Sequence, residues 1–127
     1  RLCYHIDIEE AVLRSTVPRL LIQPLIENSV KHGFKDKDTL QISIYGSIYQ
    51  NHIYIGVHDS GSGMSEMRLN EIIETFKSKE NPDNYFGLYN LNQRLKLLYG
   101  DEGALRITSS SDGTNIVIKI PKEDINV

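Results

Sequence analysis

Cysteine is almost absent from this sequence: Cys3 is the only one. A lone thiol cannot close an internal disulfide and does not suggest a metal cluster, so a reducing, cytosolic setting fits it best. Long apolar runs are missing as well. No stretch approaches the length that spans a bilayer, and no signal-peptide pattern is visible. Nor is charge of one sign concentrated anywhere: 14 Lys and Arg against 17 Asp and Glu leave a net −3 with no basic block. That balance argues against nucleic acid as a partner. The sequence has no internal repeat, no G-x-G-x-x-G dinucleotide fingerprint and no Walker G-K-[ST].

What remains is an ordinary globular composition over 127 residues. It is read as one domain, 1–127, long enough to bury roughly two-thirds of its unfolded surface. The chain opens at Arg1 inside a strand-like pattern, with no Met. A fragment of a longer protein is the expectation, so the missing membrane segment does not speak for the parent.

Arg1 to Ile8 reads as a short strand. Ser15 or Thr16 can cap a helix that Pro18 helps to start. That helix runs towards His32, with Pro24 a kink or restart point. At 100° per residue, Ile22, Leu25, Ile26, Ser29, Val30 and Gly33 share one side. Gln23, Glu27 and Lys31 fall opposite, and Asn28 and His32 lie on the boundary. Leu40, Ile42, Ile44 and Ile48 alternate with polar or small residues, as do Ile53, Ile55 and Val57; a turn near Gln50-Asn51 makes them a hairpin with one buried face. Leu69, Ile72, Ile73 and Phe76 have helical spacing, and so do Leu88, Leu91, Leu95 and Leu98, with Gly100 as the stop. Leu105–Ser109 and Ile116–Ile120 form a second hairpin turning at Ser111-Asp112-Gly113. Helices and antiparallel hairpins in one chain predict a two-layer α/β (α+β) sandwich. Its mixed, mostly antiparallel sheet is covered on one face by about three helices. Ser78 to Asn84, polar and containing Pro82, reads as a loop between two helices.

The chemistry is densest in Gln23–Gly33. A helix that only filled a core would have no need of an amide, an amine and an imidazole so close together. Asn28 offers a neutral oxygen to a hard cation, and Lys31 offers positive charge to phosphate, which suits a metal-bound polyphosphate. A second candidate is His58-Asp59-Ser60-Gly61-Ser62-Gly63-Met64, between a strand and a helix. Asp59 at a strand end can accept from an exocyclic amine, and Gly61 and Gly63 allow a flat ring to approach; a plain glycine turn reads equally well. A third is Phe86–Leu91, where Gly87 stands at a helix start whose free N–H groups can bind phosphate. A glycine-started amphipathic helix is the competing reading there, and Arg94 reads as a surface salt-bridge residue. A fourth, Asp112-Gly113-Thr114, is also explained by a hairpin turn.

In this order the four segments resemble the Bergerat ATP-binding domain shared by gyrase, Hsp90, histidine kinases and MutL. Pro18–Gly33, containing Q-P-L-x-E-N-x-x-x-H-G, is similar to the LytS/YesM type of sensor histidine kinase. So are Gly87–Leu95 and Gly113-Thr114…Ile120-Pro121. The resemblance implies that Asn28 binds the Mg²⁺ bridging the ATP phosphates, that Lys31 contacts phosphate, and that His32 lines the same wall. Glu27 is implied to hold metal-bound water. Asp59 would accept from the adenine amine; Gly61, Gly63 and Met64 would shape the base pocket, and Thr114 would complete it through a water. Ser78–Tyr85 would be the ATP lid, with Gly87 and Leu88 at its far hinge and their N–H groups on phosphate. Lys77 and Lys79 would be lid contacts or merely solvated.

Two departures from the family pattern follow. Tyr85 stands where many members have glycine, so the lid is stiffer or Tyr85 covers the nucleotide. Pro24 occupies the position where gyrase-like ATPases and anti-sigma serine kinases carry a glutamate base. Proline does no proton chemistry, which favours a histidine acceptor, itself the nucleophile. His5, His32, His52 and His58 lack the Pro-His-Phe context of that acceptor. The implied partners are therefore upstream dimerisation and phosphoacceptor helices and a response regulator. The domain would be cytoplasmic and monomeric, in a membrane-anchored dimeric parent. An anti-sigma serine kinase and a non-catalytic, ATP-responsive interaction module are the alternatives.

Overall fold

The computed structural model of the chain describes residues 1–15, 17, 19–33, 39–77 and 86–122, with the backbone alone at 19–20, 32–33 and 86. Five strands form one sheet in the order β1-β2-β3-β5-β4. They are β1 (Leu2–Ile8), β2 (Leu40–Tyr49), β3 (His52–Asp59), β4 (Ala104–Ser110) and β5 (Gly113–Pro121). β1 runs parallel to β2, and the β2–β3, β3–β5 and β4–β5 pairings are antiparallel. The helices are α1 (Glu10–Leu13), α2 (Arg19–Gly33), α3 (Glu66–Thr75) and α4 (Phe86–Tyr99), the last followed by a 3-10 turn over Gly100–Glu102.

Alternation decides which face is covered. In register across the sheet, Ile44 faces Val57 and Ile116, while Ile42 faces Asp59 and Thr114. Leu40, Ile42, Val57, Ile116 and Ile118 are fully buried on that side. α2 packs on β3 and β5, α4 on β4 and β5, and the two helices pack on each other. On the other face Ser43, Tyr45, Tyr54, Asn115 and Lys119 remain half-exposed. The expected two-layer sandwich, helices on one side of a mixed sheet, is what forms. Among the described residues no helix is long and apolar enough to cross a membrane.

Both hairpins turn where the sequence places them. Gln50 and Asn51 take φ of 48° and 64°, the left-handed pair that a tight two-residue turn requires. Gly56 leaves space for the Tyr45 ring across the strands, and Tyr45 Oη donates to Asn115 Oδ1 at 2.7 Å.

Several local expectations need correction. Ser15 does not cap α2: its hydroxyl donates back to the Ala11 carbonyl at 2.7 Å, closing the one-turn α1 that periodicity is too short to reveal. The other expected helix starters, Thr16 and Pro18, lie outside the described residues, as do the loop Ser78–Asn84 and Tyr85. In α2 the buried seam is Leu21, Leu25 and Ser29, with Ile22, Ile26 and Val30 only half-buried beside it. In α4, Leu88, Leu91 and Leu95 are buried but Leu98 is 51% exposed. In α3, Ile72 is buried, while Ile73 turns outward.

Candidate active site

Three chain segments meet at the end of β3. Asp59, its last residue, is 4% exposed and stands opposite Thr114, the second residue of β5, itself 7% exposed. A carboxylate so deeply placed needs donors. One is the Gly61 amide, which donates to Asp59 Oδ1 at 2.9 Å and so curls the chain into a turn directly after the strand. Ser60 fixes that turn to the start of β2: its amide donates to the Gln41 carbonyl at 3.0 Å and its Oγ accepts from the Gln41 amide at 2.9 Å.

Two glycines then make contacts that no other residue could. Gly63 has φ +77°, and a Cβ there would fall 1.8 Å from the Ser110 carbonyl oxygen. Gly113 has φ +134°, and its Cβ would fall 1.8 Å from the Asp59 carbonyl oxygen. Loop 60–64 and the β4–β5 turn are thus in backbone contact. Ser109 completes the junction. Its Oγ accepts from the Met64 amide at 2.7 Å and lies 3.1 Å from Thr114 Oγ1 and 3.3 Å from the Gly113 carbonyl oxygen. Ser65 caps α3 through the Arg68 amide at 3.1 Å, which fixes where the loop ends.

The structure therefore brings Asp59, Gly61, Gly63, Met64 and Thr114 together. Met64 is half-buried and packs against the core as well as bordering this junction. α2 crosses the same strands, carrying Asn28 half-buried and Lys31 exposed; the side chain of His32 lies outside the described residues. Glu27 points to solvent, where its Oε1 accepts from Gln23 Nε2 at 2.9 Å, and it lines an apolar groove with Val17, Ile22 and Ile26. Gly87, second in α4, is exposed, and among the described residues nothing beyond its chain neighbours and its own helix backbone lies within 4 Å of where its Cβ would be; Leu88 beside it is buried by its side chain. The first amides of α4 have no intrahelical acceptor, so the backbone at 87–88 offers donors. Lys77 is exposed and paired with Glu74 at 3.1 Å, a surface contact.

Sequence reasoning missed Ser109. The signal was present: in β4 the inward positions are Leu105, Ile107 and Ser109, and a polar residue there, four before the Gly113 turn, breaks the apolar series.

Residues 14–124 match the family model described as histidine kinase-, DNA gyrase B- and HSP90-like ATPase. The chain belongs to that family. The ATPase domain is 33% identical over 124 residues to the sensor protein kinase HptS of Staphylococcus aureus, an alignment covering 97% of this chain and 24% of that one. It spans about a quarter of the length of the curated relatives it matches. Among solved structures it superposes on the catalytic domain of histidine kinase ThkA with TM-score 0.72 at 18% identity, over 95% of this chain and 80% of that one. On the mycobacterial sensor histidine kinase MprB the TM-score is 0.64 at 18% identity, over 98% and 84%. The ATPase domain thus has the fold of the histidine kinase catalytic domains.

The donor set is compatible with magnesium carried by a polyphosphate. Among the described residues no group of three or more His, Cys, Asp or Glu could hold a metal. Mg²⁺ does not need such a cage; it keeps waters and substrate phosphates as ligands and takes one or two from the protein. The half-buried carboxamide of Asn28 has an oxygen of the kind such an ion accepts.

Proposed function

We propose that residues 1–127 are the catalytic and ATP-binding domain of a sensor histidine kinase of the LytS/YesM type. The domain binds Mg-ATP and presents the γ-phosphate to a histidine on helices upstream in its parent. The carrying observation is the buried Asp59–Thr114 pair, enclosed by the Gly63 and Gly113 backbone contacts, on strands that also support α2 and α4. An acceptor and a hydroxyl side by side, closed off from water, suit the edge of an adenine. The amides at Gly87 and Leu88 and the ammonium of Lys31 suit its phosphates. Mg²⁺, held by Asn28, would supply charge neutralisation on the phosphates. Lys31 and the α4 amides orient and stabilise the transferring group. In the transfer, the bond from the γ-phosphorus to its bridging oxygen breaks, ADP leaves, and an imidazole nitrogen of the acceptor takes the phosphoryl group. Glu27 stays at the solvent side in this reading.

Pro24 supports the histidine acceptor. It lies inside α2 and half-buried, where serine kinases of this family place a base. The parent is a membrane-anchored homodimer with this domain in the cytoplasm, passing its phosphoryl group on to a response regulator.

Calorimetry tests the site. Asp59→Asn replaces one acceptor oxygen with a donor and is expected to weaken ATP binding about tenfold or more. It should also erase the preference for ATP over GTP. Asn28→Ala is expected to abolish the magnesium dependence of binding. Unchanged ATP affinity and base preference in Asp59→Asn would falsify the pocket.

A further inference from the structure

We infer that the free edge of β1 pairs with the same edge of a second copy of this chain, antiparallel about a two-fold axis at Tyr4. This departs from the monomer expected of the isolated domain. It also stands apart from the nucleotide reading, since it uses none of the pocket residues. β1 is the end strand of the sheet, and among the described residues only one of its edges is bonded. Leu2, Tyr4 and Ile6 are 37%, 52% and 63% exposed, yet they lie in register with Leu40, Ile42 and Ile44, on the face that the helices cover. β1 also lacks the usual defences of a sheet edge. It pairs with β2 along its whole length without a bulge, and it contains no Pro and no Lys.

Which atoms the edge offers follows from its ladder. Along a strand, successive residues turn their N–H and C=O to opposite edges. The Arg1 carbonyl accepts from the Leu40 amide at 2.8 Å, and the Glu9 amide donates to the Gly46 carbonyl at 3.0 Å. The odd-numbered residues thus bond inward to β2, and Leu2, Tyr4 and Ile6 present both groups outward. An antiparallel partner must match outward residues with outward residues. With Tyr4 on the axis, Leu2 meets Ile6 of the second copy and Tyr4 meets Tyr4, each pair exchanging its amide–carbonyl bonds. On the other face the same register sets Arg1 opposite Asp7 and Cys3 opposite His5, and symmetry makes the Arg1–Asp7 contact twice. Apolar therefore meets apolar on one face, and opposite charges meet on the other. Neighbouring registers are poorer. An axis at Cys3 sets Arg1 against His5 and leaves Ile6 and Asp7 unmatched. An axis at His5 sets that residue against its own copy and carries Arg1 past Ile8, where the strand ends. In the Tyr4 register the two five-stranded sheets become one, with both helix layers on the same side.

Cross-linking reads the register directly. In a Cys3→Ser background, Tyr4→Cys brings two cysteines to a hydrogen-bonded antiparallel pair, whose Cα atoms stand about 5.5 Å apart, within disulfide reach. Mild oxidation of the 127-residue chain should then give a covalent dimer. Leu2→Cys or Ile6→Cys alone should give almost none, because each lies about 13 Å along the strands from its own copy. The two mixed together should cross-link to each other. Equal yields at all three positions, or none at Tyr4→Cys, would overturn the inference. Sedimentation tests the charge pairing. The unaltered chain should show a monomer–dimer equilibrium. Arg1→Asp should raise its dissociation constant about tenfold, and adding Asp7→Arg should bring it back. Ile6→Lys, at an exposed position, should leave a monomer whose far-ultraviolet circular dichroism is unchanged. An unaltered chain that stays monomeric at every concentration, or a charge swap that fails to restore pairing, would be equally fatal.

Discussion

At the scale of single residues, the site depends on two glycines for geometry and on a few polar atoms for chemistry. Gly113 is the sharper case. Its φ is +134°, and a Cβ added there would lie 1.8 Å from the Asp59 carbonyl oxygen, which leaves no room for a side chain. Gly113→Ala can be accommodated only by parting β5 from β3 where Thr114 faces Asp59. It is expected to cost at least about 2 kcal/mol in urea unfolding and to remove ATP binding. Gly87→Ala is the control: among the described residues nothing outside its own helix would meet the added Cβ, so it should unfold at nearly the same denaturant concentration as the unaltered chain. Similar stability of both variants would mean that the β3–β5 junction is not the rigid point described. Much of this was readable in advance. A carboxylate closing a strand, followed by two glycines, and a D-G-T turn each carry their own local chemistry. Ser109 did not stand out, because its meaning depends on a register. Only when β4 pairs with β5 does Ser109 come beside Thr114, and only when loop 60–64 folds back does it meet the Met64 amide.

At the scale of elements, period and punctuation carried most of the reading. Strand alternation identified the buried face of β2, β3 and β5, and the left-handed conformations at Gln50, Asn51 and Gly100 fall at turn or stop signals visible in the sequence. Periodicity failed where a helix outlasts its neighbour. Leu98 continues the Leu88–Leu91–Leu95 spacing, yet in the last turn of α4 Leu97 is 86% and Leu98 51% exposed, while Tyr99 packs against the core. A helical repeat records which side a leucine is on, not whether anything covers that side. The contrast has a measurable consequence. Leu25, fully buried where α2 meets the sheet, should cost about 2–5 kcal/mol when cut to alanine. Leu98→Ala should change stability by no more than about 0.5 kcal/mol. A large loss at Leu98 in chemical denaturation would show that the end of α4 is covered in solution.

At the scale of the whole molecule, the strand order was the least accessible feature. The parallel entry of β1 beside β2 and the placing of β5 between β3 and β4 are decided by long-range pairing, which no local pattern records. That topology bears on the proposed phosphoryl transfer, because it places the described strand histidines within the sheet. His52 has both ring nitrogens facing acceptors, the Gln50 carbonyl and the Glu102 carboxylate, each at 3.1 Å. His58 is half-buried in the middle of the sheet, and His5 lies on the edge strand β1. None of these three is carried on a helix that could swing towards a bound nucleotide. The expectation is therefore a division of labour. Mixed with γ-labelled ATP and magnesium, the 127-residue chain alone should bind nucleotide and acquire no label. Supplied with the acceptor helices proposed to lie upstream, it should yield phosphoprotein that is labile in acid and stable in base, as a phosphorus–nitrogen bond is. Acid-stable label would mean a hydroxyl acceptor and a serine kinase. Binding without label even when those helices are present would make the domain an ATP-responsive interaction module instead.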